Sequence, residues 1–166
     1  TGVCWQVSLM ALKFLNSWGS GYDSDAADAL RYANQMGCVI TSNSWRGGSF
    51  NHTLQEAIAE AAAKDYLFIA AAGNESWNND MYPYYPASYD GWNIVSVAAT
   101  DHKDQLASFS CYGVESVDIA APGVRIYSTK PDRAYRYLNG TSMATPHVAG
   151  VCALLKSLAP EMSATH

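Results

Sequence analysis

The sequence predicts an α/β fold in which a mainly parallel sheet lies between helices. Apolar runs of strand length alternate with segments of helical pattern. Each run is continuously apolar, which is typical of strands covered on both faces. The chain has 166 residues, of which 49% are hydrophobic and 15% charged. This composition predicts one domain with a sizeable core.

The first elements follow from apolar runs and capping residues. The mostly apolar segment 7–15 predicts a buried strand, which the Gly-Ser-Gly stretch at 19–21 ends. Ser24 is placed to cap a helix that continues to Met36. Gly37 then predicts the end of that helix, because glycine accepts the left-handed conformation found at helix ends.

The middle of the chain repeats this alternation. Residues 38–44 predict a second strand, and the capping box Thr-Leu-Gln-Glu at 53–56 predicts an Ala-rich helix that ends near Lys64. Residues 66–72 predict a third strand, which Gly-Asn at 73–74 ends.

The last elements follow a loop rich in Asn, Tyr and Pro. Strands are predicted at 94–98 and near 117–120, a hairpin around 130–133, and a final helix over 141–158. Ligands of parallel sheets bind beyond the carboxyl ends of the strands. The candidate site therefore comprises the residues just after the strands, at 19–24, 43–48 and 73–79.

Charge and hydropathy exclude several classes of function. The net charge of −5 leaves no basic footprint for nucleic acid or an anionic membrane. The longest apolar run, at 66–72, is too short to span a bilayer. The chain opens without Met or a signal peptide, and both ends look cut, so we expect a fragment of a longer protein.

The four cysteines predict no metal site. No two form a Cys-x-x-Cys pair, and none has a histidine at zinc-finger spacing. Three disulfide pairings remain open. Cys152 lies in an apolar stretch, where a buried free thiol is the favoured interpretation. The other cysteines are Cys4, Cys38 and Cys111.

The stretch Gly-Thr-Ser-Met-Ala-Thr-Pro-His-Val-Ala-Gly at 140–150 carries most of the chemical information. Ser142 is predicted at a helix start, where its N–H is unpaired and the helix dipole is positive. Pro146 has no N–H to donate to the Ser142 carbonyl, so we expect a distorted first turn. A serine that only caps a core helix would explain Ser142 but not the run around it.

This run resembles the active-site serine motif of the subtilisin-like serine proteases, peptidase family S8. Further segments resemble the same family in chain order, and together they cover essentially the whole chain. These segments are 19–21, 43–45, 70–75, 85–87 and 118–123. The resemblance implies a three-layer subtilisin-like fold truncated at both ends, with residues 1–166 forming part of the catalytic domain.

The resemblance also implies roles for individual residues. Ser142 would be the nucleophile, and the Asn74 side-chain amide and the Ser142 N–H would bind the oxyanion. The polypeptide substrate would lie along Gly19, Ser20, Gly21, Ser44, Trp45, Ala71, Gly73 and Tyr84. The family needs no cofactor for catalysis and is secreted. It allows structural calcium, for which Asn79 and Asp80 are weak candidates.

Two catalytic parts of the family are absent from the sequence. The family's base lies in a His-Gly-Thr-His motif and its orienting carboxylate in an Asp-Thr/Ser-Gly motif, and neither motif occurs here. None of the four histidines, His52, His102, His147 and His166, is predicted to replace that base. We therefore expect this chain alone to be inactive, with the missing N-terminal part of the domain as its partner.

Two residues depart from the family pattern beside the predicted cleft. Arg46 stands where the family usually has Gly, and is expected to be solvated or, alternatively, to favour acidic substrate side chains. Tyr84 stands where many members have a small residue at the floor of the main pocket. It is expected to shorten that pocket.

Three other classes of protein are alternatives to an active protease. A subtilase relative without activity would be a binding scaffold. The loop 19–24 weakly resembles a nucleotide-binding loop, but it lacks the third glycine and the acidic ribose partner. An α/β-hydrolase would require Gly at position 144, which is Ala144.

Overall fold

A computed structural model describes residues 2–164, which form helices and strands in the predicted α/β alternation. The elements are α1 (Asp23–Gln35), β1 (Ile40–Asn43), α2 (His52–Ala62), β2 (Leu67–Ala71), β3 (Ile94–Thr100), β4 (Ile119–Pro122), β5 (Ile126–Lys130), β6 (Ala134–Leu138) and α3 (Thr141–Leu158). No helix within this part of the chain has the length and apolar character needed to cross a membrane.

The main sheet has four parallel strands in the order β1-β2-β3-β4. Ile40 of β1 lies opposite Leu67 of β2, and Phe68 of β2 lies opposite Ile94 of β3. β5 and β6 pair with each other as a separate antiparallel hairpin. Because the four parallel strands point the same way, their carboxyl ends meet at one edge of the sheet.

Two apolar cores lie on opposite faces of this sheet. Side chains alternate along a strand, so Phe68 belongs to the core shared with α1 and α2, while its neighbour Ile69 belongs to the core shared with α3. Leu54 of α2 completes the first core and Val148 of α3 the second. Helices thus cover both faces, which confirms the predicted sheet between helices.

The segment 7–15 is not a strand, so this prediction was wrong. It is irregular, and Leu9 is 91% exposed. A strand exists only where its backbone pairs with a neighbouring strand, and no strand within residues 2–164 pairs with this segment. Phe14 instead packs edge-on against Trp45, with ring centroids 5.0 Å apart. β1 is an edge strand of the sheet that residues 2–164 form.

The starts of α1 and α2 differ from the predicted ones. Tyr22, not Ser24, is the N-cap of α1, and it makes no side-chain cap hydrogen bond. Asn51 caps α2, because its Oδ1 accepts from the Leu54 N–H at 3.1 Å. The capping box at Thr53 was therefore placed inside the helix that it was expected to begin. Asparagine is as good an N-cap as serine and better than threonine.

The end of α1 agrees with the prediction at Gly37. This residue has a φ of 79°. The Cys38 N–H donates to the Ala33 carbonyl at 3.0 Å, and the Gly37 N–H donates to the Asn34 carbonyl at 3.4 Å. These two bonds form the Schellman arrangement that a glycine at this position allows.

Candidate active site

The candidate site lies where β1, β2 and α3 meet. Ser44 follows the last residue of β1, and Gly73 and Asn74 follow the end of β2. Ser142 is the second residue of α3. The carboxyl edge of the sheet therefore brings together residues that are far apart in the sequence.

Ser142 is tied to Ser44 by two hydrogen bonds. The Ser44 Oγ donates to the Ser142 carbonyl at 2.9 Å, and the Ser142 Oγ donates to the Ser44 carbonyl at 3.3 Å. Pro146 leaves the Ser142 carbonyl without its helical donor, and the Ser44 hydroxyl supplies one. α3 is helical from Thr141 through Pro146, so the proline redirects this bond without ending the helix.

The side-chain amide of Asn74 is held in one orientation by Thr141. The Thr141 N–H and Oγ–H both donate to Asn74 Oδ1, at 2.8 Å and 3.1 Å. Because a backbone N–H can only donate, the atom that it meets must be the amide oxygen. The Nδ2 group of Asn74 is thereby left to donate elsewhere.

Two N–H donors border the space beside Gly140. A Cβ built on Gly140 would lie 3.6 Å from the Ser142 nitrogen and 3.7 Å from Asn74 Nδ2. Gly140 has a φ of 150° and precedes α3 as its N-cap. The Ser142 N–H lies in the first turn of α3, where backbone N–H groups have no helical acceptor. The arrangement suits a small anion or an oxyanion.

Thr141 is a site residue that the sequence analysis did not single out. It is fully buried, and its Oγ accepts from the Gly73 N–H at 3.2 Å while donating to Asn74. Its carbonyl accepts from the Thr145 hydroxyl at 2.9 Å. Its place directly before Ser142 was the available signal. A threonine there has a hydroxyl that links the loop after β2 to the start of α3.

Tyr84 fills the space next to Gly73. A Cβ on Gly73 would lie 2.6 Å from Cε2 of Tyr84 and 2.9 Å from Sγ of Cys111, and Gly73 has a φ of 113°. Only glycine fits this close approach. Burial, with a smaller contribution from the carboxylate of Glu75, raises the pKa of Tyr84 to about 12. The phenol is therefore neutral at physiological pH.

Arg46 is about half exposed, and its guanidinium lies over the ring of Tyr84. Its guanidinium lies 4.9 Å from the ring centroid of Tyr84 and 5.8 Å from that of Trp77. Its Nη1 donates to Glu75 Oε1 at 3.2 Å. The other oxygen of Glu75 accepts from the Asn74 N–H at 2.7 Å. Glu75 thus connects Arg46 to the loop that carries Asn74.

The remaining predicted substrate residues lie in different surroundings. Ser20 and Gly19 belong to a turn in which the Ser20 N–H and the Gly19 N–H donate to Asn16. A Cβ on Gly21 would lie 2.6 Å from the Phe14 carbonyl oxygen. Ala71 is buried at the end of β2. A groove of about 250 Å³ does reach the site, and it is lined by Leu12, Lys13, Phe14, Leu15, Ser44 and Trp45.

The histidines within residues 2–164 have other partners than Ser142. His147 Nδ1 donates to the Met143 carbonyl at 2.8 Å, one turn back in α3. The ring of His52 packs edge-on against Phe50 at 4.8 Å. His102 is exposed. His166 lies outside the described residues.

Asp80 holds the loop at 113–116 by hydrogen bonds to its carboxylate. Its carboxylate accepts from the N–H groups of Val114, Glu115 and Ser116 and from the Ser116 hydroxyl, at 2.6–3.2 Å. These bonds, the Ser116 hydroxyl first among them, lower the pKa of Asp80. The carboxylate anchors the 113–116 loop, with three donors on Oδ1 and one on Oδ2. Cys4, Cys38, Cys111 and Cys152 are all unpaired, and burial raises the pKa of Cys111 and Cys152.

A helix-start serine lies beside a side-chain amide donor at the carboxyl edge of a parallel α/β sheet, an arrangement that serine hydrolases also use. The family model described as "Subtilase family", Peptidase_S8, matches residues 1–166. The chain belongs to this family.

Curated relatives and solved structures agree with this assignment. The chain is 42% identical to Subtilisin DY from Bacillus licheniformis over 165 residues, which is 99% of this chain and 59% of the relative. It is 44% identical to Thermitase from Thermoactinomyces vulgaris over 156 residues, which is 94% of this chain and 54% of the relative. A solved structure of a cold adapted subtilisin-like serine proteinase matches with a TM-score of 0.81 and 32% identity, covering 92% of this chain and 54% of the other.

The predicted subtilisin-like fold is thus confirmed. The chain spans somewhat more than half the length of these two curated relatives.

Proposed function

We propose that this chain is part of a serine endopeptidase in which Ser142 is the nucleophile. The Ser142 Oγ would attack the carbonyl carbon of a peptide bond and form an acyl-enzyme, and the amine product would leave. Water would then release the acid product. The observation that carries the proposal is that Asn74 Nδ2 and the Ser142 nitrogen both lie next to the space beside Gly140.

These two donors would bind the oxyanion of the tetrahedral intermediate. In subtilisin, a member of this family, removal of the side-chain donor raises the barrier by about 2.7–4 kcal/mol. Here Thr141 holds the amide before substrate arrives, so no reorientation is needed during the reaction. Both groups would donate hydrogen bonds without transferring a proton.

The general base and its orienting carboxylate would be supplied by residues outside this chain. Two observations support this: the family's His and Asp motifs are absent from the sequence, and the hydrogen-bond acceptor of the Ser142 Oγ is the Ser44 carbonyl. Without a base the serine hydroxyl is a weak nucleophile. The chain alone would therefore be inactive, and no cofactor would be needed.

The substrate would be a polypeptide with a small residue before the scissile bond. Tyr84 occupies the space beside Gly73, and the Arg46–Glu75 pair lies over the Tyr84 ring. A large substrate side chain would have to displace this packed cluster. The groove along Ser44 and Trp45 would hold part of the substrate polypeptide. Secretion remains a proposal from the family resemblance.

Asn74→Asp in the intact natural protein tests the oxyanion role. The new carboxylate keeps an oxygen that can accept from Thr141, but it cannot donate to an oxyanion. We expect kcat for peptide hydrolysis to fall at least about 100-fold, with KM little changed. Asp104→Asn, a change at an exposed turn outside the proposed site, is the control for a generally perturbed protein. Unchanged kcat in Asn74→Asp would contradict the assignment.

The same experiment separates the enzyme from a non-catalytic scaffold. A scaffold would bind peptides but show no Ser142-dependent hydrolysis in the intact protein. A nucleotide-binding loop would have to follow a strand, and the segment before 19–24 is not a strand. The helix that follows begins with Asp23. A carboxylate at that position would repel a phosphate.

A further inference from the structure

The β5–β6 hairpin concentrates the positive charge of the chain. Residues 125–138 include four of the ten Lys and Arg residues but only one of the fifteen Asp and Glu residues. This segment therefore carries a charge of +3, and the remainder of the chain carries −8. The positive residues are Arg125, Lys130, Arg133 and Arg136.

The same hairpin presents an aromatic surface, here called the tyrosine face, formed by Tyr127, Tyr135 and Tyr137. The strand register pairs Tyr127 with Tyr137 and Thr129 with Tyr135, so the three rings lie on one face of the hairpin. Ring centroids lie 5.4 Å apart between Tyr127 and Tyr135, and 4.8 Å apart between Tyr127 and Tyr137. All three are about half exposed.

One arginine belongs to the tyrosine face and another lies on the opposite face. The guanidinium of Arg125 stands over Tyr137, 5.5 Å from the ring centroid. Arg136 pairs with Ser128, and strand alternation places it on the opposite face of the hairpin. The two arginines are equal in charge, so they form a matched pair for experiment.

The hairpin is joined to the loop that precedes Ser142. The Arg125 N–H donates to Asn139 Oδ1 at 2.7 Å, and the Gly140 N–H donates to the Gly123 carbonyl at 2.9 Å. β6 ends at Leu138, four positions before Ser142. The hairpin is therefore connected to the start of α3 both by the chain and by these two hydrogen bonds.

We propose that the tyrosine face and Arg125 bind an acidic segment of the polypeptide substrate; this inference rests on the proposed peptidase function. The guanidinium can hold a carboxylate with two parallel hydrogen bonds. Exposed tyrosine rings add contact area and hydroxyl donors. The negative charge of the remaining chain would repel an extended polyanion such as a nucleic acid, whereas a short acidic segment needs only the hairpin.

Binding to the intact protein with Ser142→Ala tests the proposal without cleavage. The probes are a fluorescent peptide rich in glutamate and its counterpart with glutamine at every glutamate, followed by fluorescence polarisation. We expect the glutamate peptide to bind about tenfold more tightly, with the difference shrinking as salt is added. Arg125→Gln should remove most of that difference, and Arg136→Gln should leave most of it.

Several outcomes would overturn the proposal. They are equal affinity for the two peptides, an Arg136→Gln effect as large as that of Arg125→Gln, or tighter binding of a single-stranded oligonucleotide than of the glutamate peptide. The protein with Ser142 intact separates the two hypotheses. Cleavage of both peptides with equal kcat/KM would reject the hairpin proposal and keep the peptidase. A binding preference without any cleavage would keep the hairpin proposal and reject the peptidase.

Discussion

At the scale of single residues, Thr141 determines how Asn74 is presented. Its buried hydroxyl bridges the Gly73 N–H and Asn74 Oδ1, and its backbone N–H gives Asn74 a second bond. The orientation of the Asn74 amide therefore depends on Thr141, whose side chain is fully buried. Thr141 is a positioning residue.

Thr141→Val removes this hydroxyl while keeping the shape of the side chain. The Gly73 N–H would then be buried without its acceptor, which costs about 1–3 kcal/mol. Urea denaturation of the intact protein should show this loss in the free energy of unfolding. Thr141→Ser keeps the hydroxyl and is the control. If Thr141→Ser lost as much unfolding free energy as Thr141→Val, packing of the methyl group, and not the hydrogen bonds, would account for the stabilisation.

Asp80 makes stability depend on pH. Four donors hold its carboxylate and lower its pKa in the folded state. The stabilisation is therefore present at neutral pH and is lost as the pH falls below about 3.9, the ordinary pKa of an Asp side chain.

Asp80→Asn should lower the Tm at neutral pH, and the difference from the natural protein should shrink in acid. Thermal unfolding across a pH series measures this. Asp132→Asn changes the same charge in the hairpin turn and should show no such pH-dependent gap. A gap for Asp80→Asn that persists unchanged into acid would contradict the account.

At the scale of elements, the sequence predicted helices and strands better than their ends. The strands around Phe68 and Val97 were predicted because a short, continuously apolar run between turn residues is typical of a buried strand. α3 was predicted with its observed bounds. The caps were not, because Asn51 and Thr53 are both acceptable N-caps and only the backbone geometry decides between them.

The apolar segment 7–15 shows why composition alone did not give a strand. A strand also needs a paired neighbour, which this segment lacks within the described residues. Asn74 and Ser142 could be proposed from sequence because their motifs are long. Arg46, Glu75 and Tyr84 could not be placed together, since their contacts join three separate loops.

The cap of α2 provides a test at this scale. Asn51→Ala removes the acceptor of the Leu54 N–H and should reduce the free energy of unfolding by about 1 kcal/mol. Thr53→Ala should have a smaller effect, because Thr53 lies inside the first turn. Chemical denaturation of both variants makes the comparison. A larger loss of unfolding free energy for Thr53→Ala than for Asn51→Ala would indicate that Thr53, and not Asn51, caps α2.

At the scale of the whole molecule, the described residues bring the proposed nucleophile and the proposed oxyanion donors together, while His52 and His147 contact other residues. Hydrogen bonds join Ser44 to Ser142 and Asn74 to Thr141, and the chain joins Thr141 to Ser142. The same molecule exposes large apolar side chains, among them Leu9, Trp18 and Leu158, which favour association with other surfaces. Binding of the transition state and activation of the serine would thus lie in different parts of the protein.

Labelling by a fluorophosphonate probe tests this division most directly. The probe reacts with an activated serine, and mass spectrometry identifies the labelled residue. We expect rapid modification of Ser142 in the intact natural protein, no modification in its Ser142→Ala variant, and negligible modification in the 166-residue chain alone. Rapid labelling of Ser142 in the isolated chain would show that a base lies within these residues, with His147 as the first histidine to replace. Absence of labelling in the intact protein would contradict the assignment of Ser142 as the nucleophile.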